Sequence, residues 1–273
     1  MGLRIHTNLA SLASQRHLAD ITERLSSHMR RLASGKRVAT ASDDASGLGI
    51  ANRLDAKERS LRAAQRNAED AKGMAGVMDA ALAEVTQLLQ GLHELATQSA
   101  NGTYSDQQRQ ALDSEFQKLR LAIDEIALET DYAGIQLMDG TIANARFQIG
   151  DDKDEDFLLD FKNVKTSSLG ALHTYGVDTQ AEASDSLGAV MNAIDQVSIL
   201  RGELGSDMKR LESISRQLFS ERAGLAATMS RLVDVEVAEE TAGLTREQIL
   251  QQGATAVLDQ ANLAPQLALQ LLT

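Results

Sequence analysis

The 273-residue sequence has no cysteine, no tryptophan and a single proline, and only 3% of it is aromatic. Without cysteine, disulfides, thiolate catalysis and zinc–thiolate sites are excluded. So few aromatics leave little to fill the interior of a compact enzyme of this size. One proline among abundant helix formers lets helices run long and unbroken. No apolar run approaches the ~20 residues of a membrane span, so no membrane insertion is expected. The opening MGLRIHTNLASLASQRH has no apolar block of the kind a cleaved signal peptide needs. Positive charge is also scarce. Lys and Arg number 27 against 39 Asp and Glu, a net −12 that argues against nucleic-acid binding.

Charge is unevenly placed. Residues 1–40 carry seven Arg/Lys against Asp20 and Glu23, and residues 234–273 carry six Asp/Glu against Arg246. A net of +5 at one end and −5 at the other predicts that the two ends pair, antiparallel, within one subunit. Both ends are amphipathic. Ile5, Leu9, Leu12, Ile21, Leu25 and Leu32 mark one face of the first arm, and Ile249, Val257, Ala261, Leu267 and Leu271 one face of the last. Neither has heptads strong enough to stand alone, so both are expected to order on a partner.

Between the arms the apolar period is helical. Stepping 3,4,3,4 from Leu187 to Leu232 gives fourteen positions, of which only Arg201, Ser215 and Arg222 are not apolar. This is a heptad seam on a helix roughly 70 Å long, which needs a long partner. The same stepping from Leu61 to Ala96 supplies one, its first half almost all Ala, which lets two backbones approach closely. Asn101-Gly102 should stop that helix through a left-handed cap, and Ser105 with Gln108 forms a capping box that restarts it. Alternation around Phe147 and Ile149 and around Phe157, Leu159 and Phe161, separated by GDDKDED, predicts a β-hairpin near 145–165 with an acidic tip. Residues 166–186 are small and polar and predict a surface excursion, with Ser and Thr at 166–168 as exposed acceptors for glycosylation. The expected fold is mainly α: long antiparallel coiled-coil-like rods, one small β-hairpin and paired terminal arms. Residues 1–40 with 235–273 form the terminal-arm domain, and 41–234 form the rod domain, with its long C-terminal helix near 185–232.

The candidate chemical sites fail one by one. HELAT at 93–97 has Thr97 where a zinc-protease helix needs a second His, leaving His93 as an exposed helix residue. His6, His17 and His28 recur every eleven residues but lie about 16 Å apart along a helix, too far to share an ion. Asp152, Asp154 and Asp156 alternate, but Phe157 follows where a calcium loop wants Gly. SDDASGLGIANRL (42–54) holds Gly47-Leu48-Gly49, but Asn52 replaces the third glycine and no strand precedes it, so it is not a phosphate cradle. It reads instead as a joint: Gly35 ends the first arm, 36–43 cross as a linker, and Asp44 or Ser46 caps the next helix. No catalytic set and no cofactor site emerges.

The assembled pieces resemble bacterial flagellin along nearly the whole chain. The resemblance rests on RIHTNLASLASQRHL, SGKRVATASDDASGLGIANRL, LATQSANGTYSDQQRQALDSEFQKLRLAIDEIALETDYAGIQLMDG and SRLVDVEVAEETAGLTREQILQQGATAVLDQANLAPQLALQLL. It implies a self-assembling structural subunit of the flagellar filament, exported without a cleaved signal and located outside the cell. Its implied partners are further copies of itself, the export apparatus, a flagellin chaperone, and the filament cap and hook-associated proteins. With about 45 residues between Gly140 and the long helix, it would be a minimal form lacking the large outer domains. The assembly residues so implied are Ile5, Leu9, Leu12, Leu25, Asp43, Asp44, Asn52, Arg53, Ile249, Leu250, Gln260, Asn262 and Leu267. A surface recognised by Toll-like receptor 5 in some flagellins maps to Gly91, Leu95, Gln98 and Glu115. Gly91 and His93 stand where recognised members often carry Arg, and losing a central Arg can remove about 2 kcal/mol or more, so weak or absent recognition is expected. A hook–filament junction protein and a coiled-coil scaffold or signalling module remain the alternatives.

Overall fold

A computed structural model describes residues 8–270, with side chains placed through Leu263. Helix α1 spans Leu9–Ser34, α2 Ala45–Ala100, α3 Asp106–Glu129, α4 Gln180–Val233 and α5 Val237–Gln270. Between α3 and α4 lie β1 (Asp131–Tyr132), β2 (Ile135–Gln136), β3 (Asn144–Gln148) and β4 (Asp156–Asp160). The chain divides into two compact units, the described parts of residues 1–56 with 224–273, and residues 57–223.

Unit 57–223 is built on the two seams. Leu61, Ala64, Ala68, Ala71, Ala75, Met78, Leu82, Val85, Leu89, Leu92 and Ala96 are all buried along α2. Val190, Val197, Leu204, Leu211 and Leu218 are buried along α4, and Phe116 and Ile123 bring α3 onto the same core. Two of the three polar seam positions of α4 are paired across to α2. Arg201 Nε donates to Asp79 at 2.9 Å, while Arg222 donates to Glu58 at 2.9 Å and to Gln65 at 2.6 Å. The Arg62 and Arg222 guanidiniums hold the Glu58 carboxyl below its usual range. Ion pairs thus bracket the alanine-lined stretch, where small side chains interlock least.

The hairpin β3–β4 is antiparallel, with Phe147 opposite Phe157, and lays Phe157 and Leu159 on the core. A second hairpin, β1–β2, adds to the one expected. Ala133 and Gly134 both have positive φ, and the Asp131 carboxylate accepts from Gly134 N at 2.9 Å, the conformation a two-residue hairpin loop requires. Two-residue strands are too short to alternate, so periodicity passed over them.

Three local expectations are corrected. Residues 166–186 are not a surface excursion: Thr166, Leu169, Leu172, Val177 and Ala183 are buried, and α4 already begins at Gln180. Thr166 donates its hydroxyl to Asp124 at 2.8 Å, so it is no exposed acceptor, although Ser167 and Ser168 are exposed. Helix α2 stops after Ala100, but neither Asn101 nor Gly102 is left-handed. Instead the Asn101 side chain accepts from Thr103 N at 3.1 Å, and buried Arg109 donates to the Asn101 and Tyr104 carbonyls, a cation at the negative end of α2. The capping box at the start of α3 is present, with Ser105 N donating to Gln108 at 2.9 Å.

Candidate assembly surface

Asn8 caps α1 by accepting from Ser11 N at 3.1 Å, and Gly35 ends it at φ 68°. Helix α5 then runs back along α1. Asn8 donates to the Ala261 carbonyl at 2.8 Å, and the Ser11 hydroxyl to Asn262 at 2.7 Å. Arg24 donates to Glu247 at 3.1 Å, and His28 Nδ1 lies 2.8 Å from Glu240, with Arg31 at 3.7 Å. As α1 numbers rise, α5 numbers fall, so the arms pair antiparallel and opposite charges meet. Gly243 makes room: a Cβ there would sit 2.8 Å from His28 Cε1. At the far end Val235 N donates to the Gly35 carbonyl at 3.0 Å and Arg37 N to the Val233 carbonyl at 2.7 Å, closing the pair.

The seam between the arms does follow heptads, but six of its fourteen positions are polar. Ser11, Ser14, Leu18, Ile21, Leu25, His28 and Leu32 on α1 are buried or half-buried, as are Glu240, Leu244, Glu247, Gln251, Ala254, Leu258 and Ala261 on α5. Ser11, Ser14, His28, Glu240, Glu247 and Gln251 interrupt the apolar positions, so apolar spacing alone does not reveal the repeat. The signal that could have found it was the match of Arg24, His28 and Arg31 to Glu240 and Glu247.

Much of the apolar surface therefore stays outside the pair. Leu9, Leu12 and Met29 on α1 are exposed, as are Val237, Ile249, Leu250, Val257 and Leu263 on α5. Ile249 and Val257 were expected on one packing face with Ala261; instead Ala261 lies against α1, while Ile249 is 64% and Val257 59% exposed. Gln260 borders a shallow groove with Ala10, Ser14 and Val257. Ile5 lies outside the described residues, as do His6 and the side chain of Leu267.

The linker is ordered by its own aspartates. Asp43 accepts from Thr40 N at 2.9 Å, the Thr40 hydroxyl at 2.9 Å and Ala39 N at 3.2 Å, which together hold its carboxyl below the usual range. Asp44 is the cap of α2, accepting from Gly47 N at 2.9 Å, and Ser46 lies inside the helix. A Cβ on Gly47 would collide with the Asp44 carboxylate in its capping position, so glycine there leaves the cap undisturbed. Asn52 and Arg53 are exposed on α2.

On the receptor-like surface, Gly91 packs beneath Leu119, Leu95 is half-buried, Gln98 donates to the Tyr104 hydroxyl at 2.7 Å, and Glu115 is exposed. His93 is half-buried rather than exposed. His28 serves the arm pair and His17 is exposed. At the hairpin tip Asp151, Asp152 and Glu155 converge, all exposed, while Asp156 is taken by Arg146 at 2.7 Å. Among the described residues no helix is long and apolar enough to cross a membrane.

Family models match both halves of the chain: the bacterial flagellin N-terminal helical region over residues 5–143 and the bacterial flagellin C-terminal helical region over 187–272. A flagellin of Halalkalibacterium halodurans is 35% identical, covering 98% of this chain and 99% of its own length. A flagellin of Listeria innocua is 32% identical over 99% of each. Among solved structures, the crystal structure of Bacillus cereus flagellin aligns with a TM-score of 0.52 at 28% identity, covering 60% of this chain and 94% of its own. A putative flagellar hook-associated protein from Vibrio parahaemolyticus has a TM-score of 0.61 at 18% identity, covering 70% of this chain and 100% of its own, a likeness of fold alone.

Proposed function

The chain belongs to the bacterial flagellin family, and from that membership we propose that its terminal arms, 1–40 with 235–273, are the assembly domain and 41–234 the rod domain. The chain is a minimal flagellin, a structural subunit that polymerises into the extracellular flagellar filament, and not an enzyme. The observation that carries the proposal is the row of exposed apolar side chains on the arm pair: Leu9, Leu12, Ile249, Leu250, Val257 and Leu263. The arms spend their charged and small residues on each other and leave these to neighbouring copies, so ordering of the arms is coupled to polymerisation. The linker joint at Asp43 and Asp44, with Asn52 and Arg53 beyond it, acts with the same surface, as do Gln260 and, outside the described side chains, Ile5 and Leu267, while Leu25 and Asn262 serve assembly through the seam between the arms.

The experiment is seeded polymerisation viewed by electron microscopy, with limited proteolysis before and after. Long filaments are expected, with residues 1–40 and 235–273 trimmed in monomer and protected in filament. Equal protection in both states would sink the coupling. A hook–filament junction protein would give few or no long filaments, and a coiled-coil module a finite oligomer; relatives at 32–35% identity along the full chain favour the filament subunit.

We further infer export without a cleaved signal, and contacts with the export apparatus, a flagellin chaperone, the filament cap and hook-associated proteins. Family membership supports these. For Toll-like receptor 5 the inference is negative, because Gly91 and His93 offer no guanidinium. Purified monomer at low nanomolar concentration is expected to leave receptor-reporter cells near background, and robust activation would overturn this.

A further inference from the structure

A cleft of about 340 Å³ opens on unit 57–223 between α2, α4 and the segment after β4. Its floor is apolar: Met78, Leu82, Met138, Val164 and Leu204 are all buried. Its rim carries three carboxylates, Asp160, Glu203 and Asp207, against one cation, Lys162. Of the nearby cations, Arg201 pairs with Asp79, while Arg210 lies over the Phe157 ring at 5.1 Å and reaches Asp207 only through its field. Burial, then the charges of Asp160 and Glu203, push the Asp207 carboxyl above its usual range, with Arg210 opposing.

A half-buried carboxylate over an apolar floor costs stability, and among the described residues no hydrogen bond or ion pair satisfies Asp207, which has only the more distant Arg210 charge beside it. Rule-breaking residues of this kind mark functional places, where something outside the subunit completes the site. We propose that this cleft receives a lysine or arginine side chain from a second copy of the chain. Such a side chain fits both halves of the cleft: its aliphatic stem covers the methionine-lined floor while its charged head meets the carboxylates. The proposal rests on the filament reading, which supplies the second copy at high local concentration. The chain also supplies the cations. Arg53, Arg66, Lys72, Lys118 and Lys209 are exposed and make no ion pair among the described residues.

The test separates stability from assembly. Asp207→Asn keeps the shape and removes the charge. The monomer melting temperature is expected to hold or rise, while the critical concentration for seeded polymerisation rises about tenfold. Raising salt should weaken wild-type assembly more than that of the variant. Glu203→Gln should act in the same direction, more weakly. Failure of wild-type protein to polymerise would count against the filament reading itself. Wild-type filaments with unchanged assembly of Asp207→Asn would overturn the cleft proposal alone. So would an n-pentylamine titration that shifts the Met78 and Met138 methyl resonances of monomer while the variants polymerise normally, since the cleft would then be a small-molecule site.

Discussion

Replacing Glu240 with alanine is expected to raise the critical concentration for polymerisation about thirty- to a hundredfold while leaving the helicity of the monomer nearly unchanged. Glu240 is a charged seam residue with only 8% of its surface exposed, and it faces His28 Nδ1 at 2.8 Å and the Arg31 guanidinium at 3.7 Å. Truncation leaves Arg31 without a counter-charge and His28 without its hydrogen-bond partner in a half-buried seam. Breaking a fully buried pair costs about 3–5 kcal/mol, and the partial exposure of Arg31 and His28 reduces that to about 2–3 kcal/mol here. At 1.4 kcal/mol per tenfold, this gives the stated range. On the proposed coupling of arm ordering to polymerisation, the cost falls on assembly. Glu240→Gln, which keeps an acceptor for His28 but not the charge, should lose less. A Glu240→Ala protein that polymerises at the wild-type critical concentration would show that this contact does not hold the arms in the filament.

The contrast between the two units explains what could be read from the sequence. The α2 and α4 seams were legible because Leu, Val, Met and Ala repeat at 3,4 spacing over many turns, and long regular patterns survive local exceptions. The β3–β4 hairpin was legible because Phe157, Leu159 and Phe161 alternate around an acidic turn. The pairing of α1 with α5 was legible from net charge, but its register was not, since Ser11, His28, Glu240 and Glu247 occupy the seam while Leu9, Ile249 and Val257 point away from it. Amphipathicity marks the faces that avoid water in the final assembly, and a polymer subunit divides those faces between itself and its neighbours. The segment 166–186 was not legible, for a different reason. Its Leu169, Leu172 and Val177 are irregularly spaced and are anchored by carboxylates far away in sequence, Asp124 to Thr166 and Asp113 to Val177 N. No local pattern encodes such contacts. In the linker, Asp44 as cap could be inferred from residue type, whereas the threefold acceptance by Asp43 required the turn itself.

Ala71→Leu should lower the melting temperature of the monomer by roughly 5–10 °C. Ala71 is completely buried, with Ala68 and Ala75 one turn to either side at 1% and 0% exposure. The register is fixed at both ends: Glu58 meets Arg222 and Asp79 meets Arg201, so each step forward on α2 is one step back on α4. Ala71 therefore lies opposite the turn containing Met208 and Leu211. With Ala71 fully buried, the longer side chain must displace its neighbours, and overpacking a tight core costs about 1–3 kcal/mol. For a unit of this size each kcal/mol shifts melting by roughly 2–4 °C, and the upper part of the cost range applies because four consecutive seam alanines leave no slack. Forcing the helices apart at Ala71 also strains the flanking ion pairs, which tolerate little lengthening. The cleanest check is compensation. If close approach of the two backbones is the reason for alanine, Ala71→Leu combined with Leu211→Ala should recover part of the loss, a coupling measurable as a double-mutant cycle. If the two substitutions are simply additive, Leu211 is not the neighbour that limits position 71, and the tight seam must be set by Met208 or by the backbone of α4.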